Sequence, residues 1–210
     1  MLRSDDIDKI YKAVAAGESA LILGVSGVGK SNLFNAVLDP TNQATFFKES
    51  TVTPILIRVN FHYAVDFSAR TVYSLMLEPL ESMVLPTAAG SGGLQTIRQL
   101  HDELLNAGDD LLKIQRIFRQ ALRQIMQHPD QKIYFIFDQF GSFMHAAPPR
   151  LLANLRGLRE EFKYRLGYII FSQRPLDQMI ADHHADYDEF IELFINNTVG
   201  LRPYTKEDAD

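Results

Sequence analysis

Gly24-Val25-Ser26-Gly27-Val28-Gly29-Lys30-Ser31 satisfies the pattern G-x-x-x-x-G-K-[ST]. The chemistry of anion binding needs these residue types at this spacing. Glycines let the backbone wrap a phosphate and turn its N–H groups inward. A helix starting near Lys30 adds its positive end to the same anion. The Lys30 ammonium reaches the β- and γ-phosphates of a nucleotide, and the Ser31 hydroxyl ligates Mg²⁺. A glycine-rich turn that binds nothing can carry the same string, so the flanks decide. Before it, Ala20-Leu21-Ile22-Leu23 is an apolar run long enough for a buried strand and too short for a helix. After it, Leu33, Phe34 and Val37 recur at helical spacing until Asp39-Pro40. Strand, loop and helix thus follow in the order the chemistry requires. The nucleotide-binding set is Gly24, Val25, Ser26, Gly27, Val28, Gly29, Lys30, Ser31 and Asn32.

Outward from the loop, helices and apolar strands alternate. Ser4 is placed to cap a first helix bearing Ile7, Ile10, Tyr11 and Val14, with Gly17 as its stop. Residues 54–59 (Pro-Ile-Leu-Ile-Arg-Val) read as a second strand and residues 68–85 as a helix. Pro86 to Gly93 reads as a flexible surface loop. Two helices follow, the second with Leu111, Ile114, Phe118, Ala121 and Ile125 on one face and Lys113, Arg116, Arg119 and Arg123 on the solvated remainder. Residues 132–138 form a third strand. Pro148-Pro149 opens a helix with Leu151, Leu155, Leu158 and Phe162 inward, and residues 168–172 form a fourth strand. Residues 175–194 read as mostly helical, and 198–201 as a short fifth strand. Strands apolar throughout, separated by helices, imply a parallel sheet covered on both faces.

Asp138, at the end of the third strand, fits the second half of the site. An acid after an apolar strand is the metal-orienting carboxylate of phosphate-loop proteins, which makes Ser31 and Asp138 the expected Mg²⁺ ligands. Gln139 follows it. An amide orients water but cannot accept its proton, so turnover is expected to be slow.

Composition narrows the rest. The chain has 210 residues, 46% of them hydrophobic and 22% charged, which suits one generous domain. Without cysteine there is no disulfide scaffold, thiolate zinc site or cysteine nucleophile, and a reducing, cytoplasmic setting is expected. No apolar run approaches a membrane span, and the N-terminus lacks signal-peptide character. A net charge of −5 does not favour nucleic acid as a partner. The bases Arg150, Arg156, Arg159, Lys163 and Arg165 keep that partner open.

Three motifs lead elsewhere and fail. Asp138-Gln-Phe-Gly141 and Thr205-Lys-Glu-Asp208 imitate guanine-nucleotide motifs, yet Thr205 follows Arg-Pro-Tyr rather than a buried strand. Ser91-Gly-Gly-Leu-Gln95 has the transporter signature out of order, and His183-His184 would point apart on a helix. The remaining features resemble one group. Ile169-Ile-Phe-Ser172-Gln173-Arg174 is similar to the h-h-h-T-[ST]-R pattern of STAND nucleotide-switch ATPases, relatives of the AAA+ and initiator-type ATPases. Gln173 departs from the second hydroxyl of that pattern. Val199-Gly200-Leu201-Arg202-Pro203 looks like the family's G-x-P segment.

The resemblance implies a three-layer α/β/α P-loop fold whose mostly parallel five-stranded sheet has the order 5-1-4-3-2. It implies ATP or ADP with Mg²⁺ as cofactors and adenine packed on Pro203. It gives Arg174 the role of γ-phosphate sensor, and Gln139, Arg174 and Ser172 are the expected catalytic residues. Residues 1–202 are then the nucleotide-binding domain, and 203–210 begin a linker or lid that is absent. Self-association, or effector domains outside this sequence, are the expected protein partners. A conformational switch is the leading expectation. A non-hydrolysing assembly module and a DNA-associated initiator or transposition-type ATPase are its rivals.

Overall fold

The computed structural model describes residues 3–50, 54–81, 90–127, 129–179 and 185–202. Among them α1 (Ser4–Ala16) leads into β1 (Ala20–Leu23), α2 (Lys30–Leu38), α3 (Pro40–Phe46) and β2 (Ile55–Asn60). Then come α4 (Ala69–Leu77), α5 (Gly90–Leu105), α6 (Leu111–Ile125) and β3 (Ile133–Asp138). The remainder is α7 (Phe140–Ala146), α8 (Pro149–Phe162), β4 (Leu166–Ser172), α9 (Ala185–Ile191) and β5 (Thr198–Gly200).

The strands make one 5-stranded sheet in the order β2-β3-β4-β1-β5, every neighbouring pair parallel. This is the expected 5-1-4-3-2 order read from the other edge. Period-2 alternation sends successive strand residues to opposite faces. Ile22, Leu56, Tyr134, Ile136, Ile169 and Phe171 pack with α1 and α2 on one side. Leu21, Ile57, Phe135, Phe137, Tyr168 and Ile170 pack with α4 to α9 on the other. Both faces are buried, which is why the strands read as unbroken apolar runs.

One close approach shows how tightly the middle of the sheet is filled. Gly167 on β4 lies in register with Tyr134 on β3. A Cβ at Gly167 would sit 2.2 Å from Tyr134 Cε1. The ring cannot yield easily, because Tyr134 is fully buried and its hydroxyl donates to the Val14 carbonyl oxygen at 3.2 Å. Gly167→Ala is therefore expected to cost about 1–3 kcal/mol of stability through overpacking. Chemical denaturation would measure it, and an unchanged midpoint would show that the ring slips aside freely.

Several local expectations need correction. Arg3, in the left-handed region with φ 59°, precedes α1, and Ser4 is its first helical residue rather than its cap. The helix expected over 68–85 ends at Leu77 and continues as a 3₁₀ turn, Glu78–Glu81. Part of the expected loop is helical, since α5 starts at Gly90; residues 86–89 lie outside the described residues. Leu111 is 59% exposed, and Ile117 and Leu122 carry the buried face of α6 with Ile114 and Phe118. Arg119 and Arg123 do not merely face solvent, because both pair with Glu161 on α8 at 2.7 Å.

Candidate functional site

The loop after β1 is fastened at its start. The Gly24 amide donates to the Ser172 carbonyl oxygen of neighbouring β4 at 3.1 Å. A Cβ on Gly24 would meet Val28 Cγ1 at 2.6 Å, so a larger residue would push Val28 out of its buried place. Gly27 and Gly29 have φ of 79° and 91°, a region that costs glycine little. Gly29 directly precedes α2, so the first amides of that helix lack intrahelical partners and open onto the loop. Ser31 and Asn32 are exposed on the first turn.

Lys30 folds back across the loop. Its ammonium donates to the carbonyl oxygens of Gly24 and Val25, the latter at 2.8 Å. Burial lowers its pKa below the ordinary lysine value, and a neighbouring anion would oppose that shift.

β3 delivers Asp138 beside this loop because β3 and β1 flank β4. Asp138 Oδ2 accepts from Arg58 Nη2 of β2 at 2.7 Å. Arg58 lies over the Phe34 ring of α2, with its guanidinium carbon 4.8 Å from the centroid. Gln139 caps α7 in the left-handed region with φ 59°, and its carbonyl oxygen accepts from Ser142 Oγ at 2.9 Å. A non-glycine residue there carries roughly 1–2 kcal/mol of backbone strain. Gln139 is exposed and lines the same cavity as the loop.

β4 ends in a turn held by Ser172. Its hydroxyl donates to the Arg174 carbonyl oxygen at 2.6 Å and accepts the Arg174 amide at 3.3 Å. Ser172 is 3% exposed. Its hydrogen bonds shape the turn that presents Arg174. Arg174 itself is exposed, and its guanidinium makes no ion pair or hydrogen bond among the described residues.

These elements surround a cavity of about 770 Å³. It brings together Ser26, Gly27, Gly29, Lys30, Ser31, Asn32, Asp138, Gln139, Ser172 and Arg174. Gly24, Val25 and Val28 support the loop without lining the cavity. Pro203 lies outside the described residues, as do Thr205 and the His183-His184 pair. Arg58, His145 and Gln173 also line the cavity, and only Gln173 figured in the sequence reading, as a departure from a pattern. The signal for Arg58 was present: it is the one charged residue in the apolar run Ile55 to Val59.

The donor set suits a hard cation. Ser31 offers a hydroxyl and Asp138 a carboxylate to the same cavity. Mg²⁺ is usually held by one or two carboxylates together with phosphate oxygens and waters. No group of three or more His, Cys, Asp or Glu side chains stands together among the described residues, and such a site does not need one.

The bases that kept nucleic acid open are partly committed elsewhere. Arg159 donates to the Gly17 carbonyl oxygen at 2.9 Å, Arg165 to that of Met126 at 2.6 Å, and Arg156 pairs with Glu160 at 3.2 Å. No helix among the described residues is long and apolar enough to cross a membrane.

No protein-family model matches the sequence, and no curated protein matches it. Solved structures do. The Aeropyrum pernix ORC1 protein in complex with DNA is 13% identical with a TM-score of 0.61, over 98% of this chain and 46% of that one. The Aeropyrum pernix ORC2 protein with ADPNP and ADP is 16% identical with a TM-score of 0.62, over 97% and 48%. A Walker-type ATPase of Pyrococcus abyssi is 17% identical with a TM-score of 0.54, over 98% and 55%. The chain therefore shares the fold of these solved structures, and spans about half their length.

Proposed function

We propose that residues 1–202 form an ATP-binding, Mg²⁺-dependent switch domain of the AAA+/STAND kind, with weak hydrolysis, working in the cytoplasm as part of a larger signalling or assembly ATPase. One observation carries this reading. A glycine loop with two left-handed positions, a lysine, a hydroxyl, a carboxylate and an arginine unpaired among the described residues converge on one cavity from three adjacent strands. The roles follow from the chemistry of each group. The loop amides and Lys30 hold the phosphates. Ser31 and Asp138 hold Mg²⁺, which when bound neutralises phosphate charge. Gln139 orients a water through its amide without taking its proton. Arg174 is the cation free to meet a terminal phosphate. A ligand shifts a two-state equilibrium only by its differential affinity for the two states, and Arg174 is one place where ATP and ADP would differ.

Calorimetry with ADP, ATP and GTP, each with Mg²⁺, tests the reading directly. Wild type should bind the adenine nucleotides, and no binding of any of the three would refute it. Arg174→Ala should weaken ATP by about tenfold or more, the scale of one charge-assisted hydrogen bond, while ADP changes less than about threefold. Equal losses would make Arg174 a structural residue.

A second reading has its own support. One structure of the same fold was solved with DNA, and the chain covers only 46% of that protein. A DNA-associated initiator role predicts a gel shift with duplex DNA that weakens steeply as salt rises.

A further inference from the structure

Arg58 is the charged side chain at the cavity that the roles above leave without a task. It sits on the edge strand β2, on the face turned to α2, and lies diagonally across from Asp138 in the β2–β3 ladder. Its guanidinium meets the one carboxylate that the proposed function gives to the metal. The pair is not needed to hold the two strands. Ile55 through Asn60 already pair position by position with Ile133 through Asp138.

We propose, resting on the nucleotide-site reading above, that Arg58 is a movable counter-ion. It holds Asp138 until the carboxylate is taken by a divalent cation, and then transfers to the terminal phosphate of the nucleotide. Three observations support it. First, a guanidinium 2.7 Å from Asp138 Oδ2 occupies one acceptor site of the carboxylate and repels a metal cation approaching the same group. Second, the pair is easily parted. The Arg58 side chain is 48% exposed, and exposed pairs are worth little. Third, the released cation stays at the site. Phe34 supports the guanidinium from the phosphate-loop helix, and Arg58 lines the same cavity as Lys30 and Ser31. Asp138 is the only acidic side chain it pairs with among the described residues, so the phosphates are the anion left to it. Arg58 would thereby link metal arrival to phosphate recognition from within the same chain. It complements Arg174, which approaches from the other side of Asp138 on the turn after β4.

The test uses Arg58→Met, which keeps a long side chain over Phe34 and removes the charge. Binding of a fluorescent ADP is followed as Mg²⁺ is titrated, and ATP and ADP affinities are then compared at saturating Mg²⁺. Arg58→Met should lower the Mg²⁺ midpoint by roughly two- to fivefold, the worth of an exposed pair. It should also weaken ATP about tenfold or more, the scale of one charge-assisted hydrogen bond, with a much smaller effect on ADP. Arg58→Lys should restore part of both, because charge returns without the planar fork. The Mg²⁺ shift should vanish in an Asp138→Asn background, and thermal melting confirms that each variant is folded. An unchanged midpoint, or equal losses of ATP and ADP, overturns the counter-ion while leaving the nucleotide site standing. A wild type that binds no nucleotide overturns both.

Discussion

Lys30→Ala should abolish tight nucleotide binding while the protein stays folded. The Lys30 ammonium is held over the loop by the carbonyl oxygens of Gly24 and Val25, and it lines the cavity. A charge-assisted hydrogen bond contributes roughly 1.5–3 kcal/mol, so affinity for Mg²⁺·ATP should fall by about one to two orders of magnitude. The same change should have little effect on melting. Lys30 opens α2 on the surface side of the loop, and alanine is a good helix former there. The buried anchors of the helix, Leu33, Phe34 and Val37, are untouched. Calorimetry and thermal melting of the same sample decide it. Wild-type affinity in a folded variant would remove the phosphate loop from the functional argument. Lost affinity with lost fold would show that Lys30 instead holds the loop together.

Backbone conformation is what made the loop legible. Few residue types permit left-handed backbone, and Gly27 and Gly29 occupy the two positions that need it. The strands were legible because a sheet buried on both faces leaves no polar alternation to confuse with a helix. Their order is another matter. No local pattern says that β4 lies between β1 and β3, and that expectation rested on resemblance alone. α3 shows the opposite failure. Asp39-Pro40 reads as a stop, yet the Asp39 carboxylate accepts the amides of Thr41 and Asn42 at 2.9 and 3.0 Å and starts a new helix with proline at its first position.

The site was half legible for a similar reason. Lys30, Ser31 and Asp138 sit in stereotyped contexts, a loop and a strand end. Ser172 matched a pattern, but its part depended on which way the hydroxyl turned, and it turns to the backbone of Arg174. Arg58 lies 80 residues from Asp138 in sequence, and only the β2–β3 register brings them together. A charge within an apolar strand could have been flagged in advance, but its partner could not have been named.

Gln139→Glu should accelerate hydrolysis more than any other single change at the site. The residue follows Asp138, the proposed Mg²⁺ ligand, and lines the cavity with Ser142 and Gly141. A carboxylate there is able to take the proton of an attacking water, whereas an amide only orients it. A positioned base is worth about 10²–10⁴-fold, and the lower end is expected from a site whose other parts are unchanged. Backbone strain does not separate the two forms. Both side chains face the same cost at φ 59°, and the carbonyl that accepts from Ser142 Oγ is kept. The new negative charge lies one residue from Asp138, and its repulsion is moderated by Arg58 and Lys30, which line the same cavity. ATP binding should therefore change little while single-turnover hydrolysis rises by about 10²-fold or more. Gln139→Ala separates orientation from basicity: it should be slower than wild type if the amide positions water. If the glutamate variant hydrolyses no faster than wild type, the missing chemistry comes from outside these residues. A lid or a neighbouring subunit would then supply it, and Gln139 would not be the step that limits turnover.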